Sequence, residues 1–272
     1  MSDAVHPDVA ADPAILWTPP AERARASRMH AFLQRAEARS GRRFADYEAL
    51  WRWSVEDLAG FWDLLWEELD PIAERGPGPV VDDPSRLPGA RWFEGTRLNF
   101  AENLLRHRGP QAAIVFRGEH MHASRSISRD ELAAAAAAFA AALRARGVRA
   151  GDRVAGFMPN IPETVVAMLG AASIGATFSS CSPDFGVNGV LDRFARIEPT
   201  VLVVADGYSY NGRVFDCLEK VAGILAGLPE RPRTIVVPHA ARTAGGVWDD
   251  SPGVRPDIAA VAGRTPGESS QT

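Results

Sequence analysis

The spacing of apolar positions changes along the chain. In the first part, to about Val81, apolar residues recur at helical intervals. Leu58, Phe61, Trp62, Leu65, Trp66 and Leu69 fall along one face of a 3.6-residue period. Ser54 and Asp57 form an S-x-x-D capping box ahead of that run, and Pro71 predicts its end. Trp51 and Trp53 lie just upstream. The stripe reads as a packing face, because large aromatic side chains dominate core energetics. Residues 76–88 are a Gly/Pro/Asp-rich connector, and Trp92 to Leu105 is a polar-aromatic segment leading into a short helix.

From Ala113 onward short apolar runs alternate with helical patterns. Ala113 to Arg117 predicts a strand. Ser128 and Glu131 form a second capping box, after which Leu132, Ala136, Phe139 and Leu143 line one helix face and Gly147 suits the C′ position. Arg153 to Met158 predicts a strand, Pro162 the first turn of a helix, and Gly175 its end. Gly170 and Gly175 have the spacing of two phosphate-loop glycines, but Ala176 and Thr177 follow, so both are read as helix termination. Ala176 to Ser180 predicts a strand, and Asn188 caps a helix ending before Pro199. The β-branched run Thr200 to Ala205 predicts a strand buried on both faces. A helix is expected from Asn211 through Leu228, and a strand from Thr234 to Val237. This alternation is the pattern of an α/β protein, an open parallel sheet with flanking helices, preceded by a helical, Trp-rich extension.

Ser251 to Thr272 is rich in Gly, Pro, Ser and Arg and reads as a disordered tail. A sheet ending there would have an exposed edge open to self-association. The net charge of -4 argues against nucleic acid as a partner. No apolar run is long enough to span a membrane, and no secretory signal opens the chain. Two isolated cysteines, Cys181 and Cys217, make neither a disulfide framework nor a metal site, so a cytoplasmic location is expected.

The candidate chemistry is sparse. No phosphate loop, dinucleotide fingerprint or nucleophile elbow is present, and Lys220 is the only lysine. His120 and His122 form an H-x-H pair on an extended segment, without further ligands for zinc. They read as surface histidines. Glu163 and Asp184 lie near predicted strand ends, where open α/β sheets bind ligands, though both also read as helix-start or turn residues. Thr177 to Gly186 is a strand running into a small polar turn.

Two segments carry a family resemblance. Trp92 to Leu105, W-F-x-G-x-x-L-N-x-A-E-N-L-L, resembles the linker that opens the adenylation domain of acetyl- and acetoacetyl-CoA synthetases. Gly175 to Gly186, G-A-T-F-S-S-C-S-P-D-F-G, is similar to the acetoacetyl-CoA synthetase version of a turn that ends Ser-Pro-Glu in the acetyl branch. The start of the helix at Asp130-Glu131-Leu132 also fits, and the resemblance runs from about Ile15 to Asp250. It implies an adenylate-forming ligase that joins acetoacetate to coenzyme A with ATP and Mg²⁺, releasing AMP and pyrophosphate. The alternatives are an acetyl- or propionyl-CoA synthetase, and a non-enzymatic interaction module docking through its tryptophans.

The same resemblance implies a domain plan: an N-terminal extension over 1–85, an incomplete AMP-binding domain over 86–250, and the tail over 251–272. The family's phosphate-binding loop and catalytic lysine are expected to be missing, which suggests a truncated or frameshifted piece, inactive alone, with no catalytic or metal-binding residue of its own. In acetyl-type relatives a segment after the strand at 200–205 carries two arginines that touch coenzyme A. Gly212 and Arg213 match that segment, while Tyr210 stands where the first arginine would be. Arg213 alternatively reads as a first-turn helix residue.

Overall fold

The computed structural model describes residues 17–119 and 124–239, and the chain divides into two compact units between Arg97 and Leu98. The His120/His122 pair and the segment 251–272 lie outside the described residues.

The first unit is built from helices α1 (Ala21–Arg25), α2 (Arg28–Ser40), α3 (Tyr47–Glu56) and α4 (Leu58–Leu69), followed by a short strand β1 (Ala73–Glu74). Strand β2 (Arg97–Leu98) marks the division. Each longer helix is capped by a side chain that accepts an orphan N–H: Ser27 from His30, Asp46 from Ala49, and Asp57 from Gly60 at 2.9 Å. The expected cap at Ser54 is therefore corrected. Ser54 sits inside α3 and donates its hydroxyl to the Trp51 carbonyl, whereas Asp57 leaves helical geometry (φ -118°, ψ 68°) and starts α4. The expected packing stripe is also shifted. Leu64 is the buried residue of α4, Phe61 and Leu65 are half-buried, and Trp62 and Leu69 are exposed. The reason is that the core of this unit gathers around Trp53, with Ala36, Phe44 and Leu50, and takes the Phe61–Leu64 side of α4. Trp53 packs on Phe44 and edge-on to Phe61, with ring centroids 5.6 and 6.0 Å away.

The second unit runs α5 (Phe100–Leu104), β3 (Ala112–Phe116), β4 (Arg125–Ser128), α6 (Arg129–Ala145), β5 (Arg153–Phe157), α7 (Pro162–Ser173), β6 (Thr177–Cys181) and α8 (Val187–Ile197). It continues with β7 (Val201–Ala205), β8 (Gly207–Tyr210), β9 (Arg213–Asp216), α9 (Leu218–Gly227) and β10 (Arg233–Val237). Strands β10, β7, β5 and β6 form, in that order, a parallel sheet. Its faces follow from the two-residue period of a strand. Val201, Val203 and Ala205 enter one core with Leu132, Phe139 and Leu143 of α6 and Val166 of α7. Leu202 and Val204 enter another with Val190 and Phe194 of α8 and Val221 and Ile224 of α9. All of β7 is buried, as its β-branched run predicts.

The box at Ser128 and Glu131 forms as expected, with donation in both directions, and Gly147 takes φ 80° just past α6. Gly170 differs from expectation. It lies inside α7, where a Cβ would stand 2.7 Å from the Phe139 ring and 3.0 Å from the Ala136 carbonyl, so it permits the close approach of α6 and α7. Gly175, at φ 76°, alone ends the helix. Asn188 falls in the first turn of α8, whose cap position is Gly186. Strand β4, pairing antiparallel with β3, was not expected.

The largest correction is at 211–228. The helix begins only at Leu218, and a hairpin of β8 and β9 precedes it. Asn211 and Gly212 have φ 51° and 72°, the two left-handed positions of a two-residue hairpin turn. Asn-Gly between Tyr-Ser-Tyr and Arg-Val-Phe is the strongest short hairpin signal, and it outweighs the helical pattern downstream.

Candidate functional site at the C-terminal ends of the strands

In an open parallel sheet the carboxyl ends of all strands lie along one edge, where ligands bind. Here that edge collects the turn after β6, the start of α7, and the segments that follow β7 and β10. Glu163 and Asp184, both expected near strand ends, occupy it differently.

Glu163 is the second residue of α7 and is 6% exposed. Its Oε1 accepts from Arg125 of β4, while Oε2 is buried without a hydrogen-bond partner among the described residues. A half-satisfied buried carboxylate is costly, so the Arg125 guanidinium is the group that keeps it there. His239 follows β10 and donates its backbone N–H to the Asp206 carboxylate at 2.7 Å. Burial lowers the basicity of its imidazole, against the opposing charges of Glu163 and Asp206.

Asp184 sits in the turn Ser182–Gly186. The Ser182 hydroxyl donates to Asp184 Oδ2 at 3.1 Å, and Lys220 Nζ donates to the Pro183 carbonyl at 2.9 Å. The turn thus ties to α9. The chain's sole lysine is held there by a backbone oxygen. Tyr208 stacks on Phe215, centroids 5.1 Å apart. Burial first, and then the Asp184 charge, raise the Tyr208 pKa. Cys217 is buried behind the hairpin, and desolvation pushes its thiol up to about 11. Cys181, at the end of β6, is raised in the same direction by burial. Neither thiol is poised as a nucleophile.

The tip of the hairpin carries the two positions singled out from sequence. Gly212 is the second turn residue and Arg213 the first of β9, both exposed. Arg213 is therefore a strand residue, not a first-turn helix residue. It makes no hydrogen bond or ion pair with the described residues. The backbone N–H groups of Asn211 and Gly212 both donate to the Glu119 carboxylate, at 2.9 Å to Oε1 and 3.1 Å to Oε2. No sequence signal marked Glu119, Arg125 or His239. Asn211 could have been found from its Asn-Gly pair. Among the described residues no group of three or more His, Cys, Asp or Glu is placed to hold a metal ion, and no helix is long and apolar enough to cross a membrane.

A family model described as AMP-binding enzyme matches residues 100–260, more than half of the chain, and one described as acetyl-coenzyme A synthetase N-terminus matches residues 47–104. Among curated proteins the chain is similar to the acetoacetyl-coenzyme A synthetase of Rhizobium meliloti (strain 1021), 47% identical over 84% of this chain and 35% of the relative. The acetoacetyl-CoA synthetase of Gallus gallus is 39% identical over 84% and 34%. The malonamoyl-CoA synthetase of Penicillium aethiopicum is 35% identical over 88% and 33%. Among solved structures, the acetoacetyl-CoA synthetase from Streptomyces lividans superposes with a TM-score of 0.79 at 40% identity, covering 86% of this chain and 36% of that one. The chain spans about a third of the length of the curated relatives it matches.

Proposed function

The chain belongs to the AMP-binding enzyme family, and from that premise we propose that it serves an acetoacetate–CoA ligase. In that reaction the acid attacks the α-phosphate of ATP to give an acyl-adenylate and pyrophosphate, and coenzyme A thiolate then displaces AMP. The observation that carries the reading is the likeness to acetoacetyl-CoA synthetases in sequence and in structure together. The malonamoyl-CoA relative supports the substrate class. Acetoacetate and malonamate are both short acids with a carbonyl β to the carboxylate, which acetate and propionate lack.

In this reading residues 1–85 are the family's N-terminal extension and 86–250 part of its adenylation domain. ATP and Mg²⁺ would supply the leaving group and its charge neutralisation. The described residues offer neither a metal cluster nor a free lysine for them. For coenzyme A the hairpin tip is suited. Gly212 leaves space beside the backbone, with nothing within 4 Å of a Cβ position, and Arg213, unpaired among the described residues, offers a fork of donors for phosphate. The compartment is cytoplasmic, which two reduced, buried thiols support. Any self-association would use an exposed edge of the parallel sheet, whose outer strands are β10 and β6.

The test is a graft. Residues 17–239 replace the matching segment of the Rhizobium meliloti enzyme. Acetoacetate-dependent ATP–pyrophosphate exchange should survive, well above exchange with acetate or propionate. Loss of exchange in a folded graft, or a preference for acetate, overturns the reading. In the same graft Arg213→Ala should raise the KM for coenzyme A by roughly tenfold, the scale of one charge-assisted contact, and an unchanged KM removes Arg213 from the site.

A further inference from the structure

The hairpin tip holds an occupant that its own fold does not require. In a two-residue hairpin the residues flanking the turn close the ladder, here Tyr210 with Arg213. The N–H groups of the two turn residues are left pointing outward. With Asn211 at φ 51° and Gly212 at φ 72°, both N–H groups converge, and successive amides in that geometry form a concavity selective for anions. The Glu119 carboxylate fills it, one oxygen per amide. Glu119 lies 92 residues away, follows β3, and is exposed. Holding a long exposed side chain across that separation costs conformational freedom, and water alone would satisfy both amides. The contact shows that the two amides together accept an anionic group, one oxygen each.

We propose that the Asn211–Gly212 turn is an anion site in which the Glu119 carboxylate is exchanged for a phosphate group of coenzyme A. This rests on the reading that the hairpin tip meets coenzyme A. A phosphate monoester carries more charge than a carboxylate and presents three acceptor oxygens. It can therefore keep both amide bonds and still accept from Arg213, which has no partner among the described residues. Glu119 leaves by side-chain rotation, and both turn residues keep their conformation. Until it leaves, it screens the site against smaller and singly charged anions. Glu119 thus sets a threshold: it weakens binding of every anion and leaves selectivity to those that gain the Arg213 contact.

The test follows the backbone amide resonances of Asn211 and Gly212 by NMR in the full chain, in wild type, Glu119→Gln and Arg213→Ala. Each protein is titrated with coenzyme A, dephospho-coenzyme A and inorganic pyrophosphate. Glu119→Gln should shift both amides before any addition and lower the coenzyme A midpoint about tenfold. Arg213→Ala should raise that midpoint. A dephospho-coenzyme A midpoint that no longer responds to Glu119→Gln identifies the 3′-phosphate as the displacing group, and one that still responds identifies the pyrophosphate bridge. If Arg213→Ala weakens coenzyme A while Glu119→Gln leaves its midpoint unchanged, the exchange is overturned and the coenzyme A reading stands. If Glu119→Gln sharpens only inorganic pyrophosphate, coenzyme A is overturned as the ligand. If neither amide moves with any probe in any variant, both the exchange and the hairpin's role in binding coenzyme A are overturned.

Discussion

The helical unit and the α/β unit bury apolar side chains by different geometry. In the helical unit each helix offers one stripe, and its core is a small cluster around Trp53. Many of its large side chains stay in water: Trp17 is 65% exposed and Trp51 51%. Its charged groups pair at the surface, as in Arg39–Glu67 and Arg42–Glu56, where each pair contributes little. In the α/β unit a strand offers two faces, so β7 places five consecutive residues in two separate cores. Its notable ion pair, Arg125–Glu163, lies at the carboxyl end of the strands and has one buried partner. Burial in the second unit is thus shared between two cores that β7 joins, whereas in the first it is a single small aromatic cluster. A single polar substitution should have unequal effects in the two.

Val203→Asp sharpens this comparison most. It places a carboxylate in a fully buried apolar layer. The expected cost is more than about 4 kcal/mol, enough to abolish a cooperative urea transition for a domain of ordinary stability. A retained sharp transition would show that β7 is less central than its burial implies. Trp53→Ala is the counterpart in the helical unit, with an expected loss of about 3–5 kcal/mol and faster hydrogen exchange in α2, α3 and α4. Trp53→Phe keeps most of the packing but loses the indole N–H donated to Asp57 at 3.3 Å, and should cost only about 1 kcal/mol more than nothing.

Glu163→Gln comes next. Arg125 is partly exposed, with 37% of its side chain accessible, so the loss is discounted to about 1–2 kcal/mol by urea denaturation. A larger loss would mean that solvent does not reach Arg125 once Glu163 is neutral. The smallest effect lies in the helical unit and depends on pH. Asp82 accepts from the Arg91 backbone N–H and guanidinium, and these bonds hold its pKa down to about 2 from an ordinary 3.8. A carboxylate lowered on folding stabilises the native state above its unfolded pKa, and that contribution disappears as pH falls from 3.8 toward about 2. The melting temperatures of wild type and Asp82→Asn should therefore differ at pH 6 and converge by pH 2. A constant difference would place the effect in the shape of the loop rather than in the charge.

Much of the second unit was legible from sequence because its signals are local. Ser128 and Glu131 are three residues apart, and both halves of their box depend only on that spacing. Leu132, Ala136, Phe139 and Leu143 share a face by helical period and are all buried. The family-bearing segments at 92–105 and 175–186 were legible as strings of residues. Errors arose where two local signals competed. Ser54 satisfies a box pattern, but α3 runs through it and Asp57 takes the cap. Asn211 can start a helix or a hairpin, and Gly212 behind it decides for the hairpin.

By itself, then, the sequence determined the strand–helix alternation from α6 to β7, the two-sided burial of Val201 to Ala205, and the family. Each depends on neighbours within a turn or on the identity of a short segment. The tertiary structure alone decided which face of α4 is buried, that Gly170 is a contact between helices, that Arg125 reaches Glu163 across 38 residues, and that Glu119 fills the Asn211–Gly212 turn across 92. Those pairings depend on how strands register and helices cross. No periodicity within a segment encodes that arrangement, because it is the sum of many weak contacts between residues far apart in the chain.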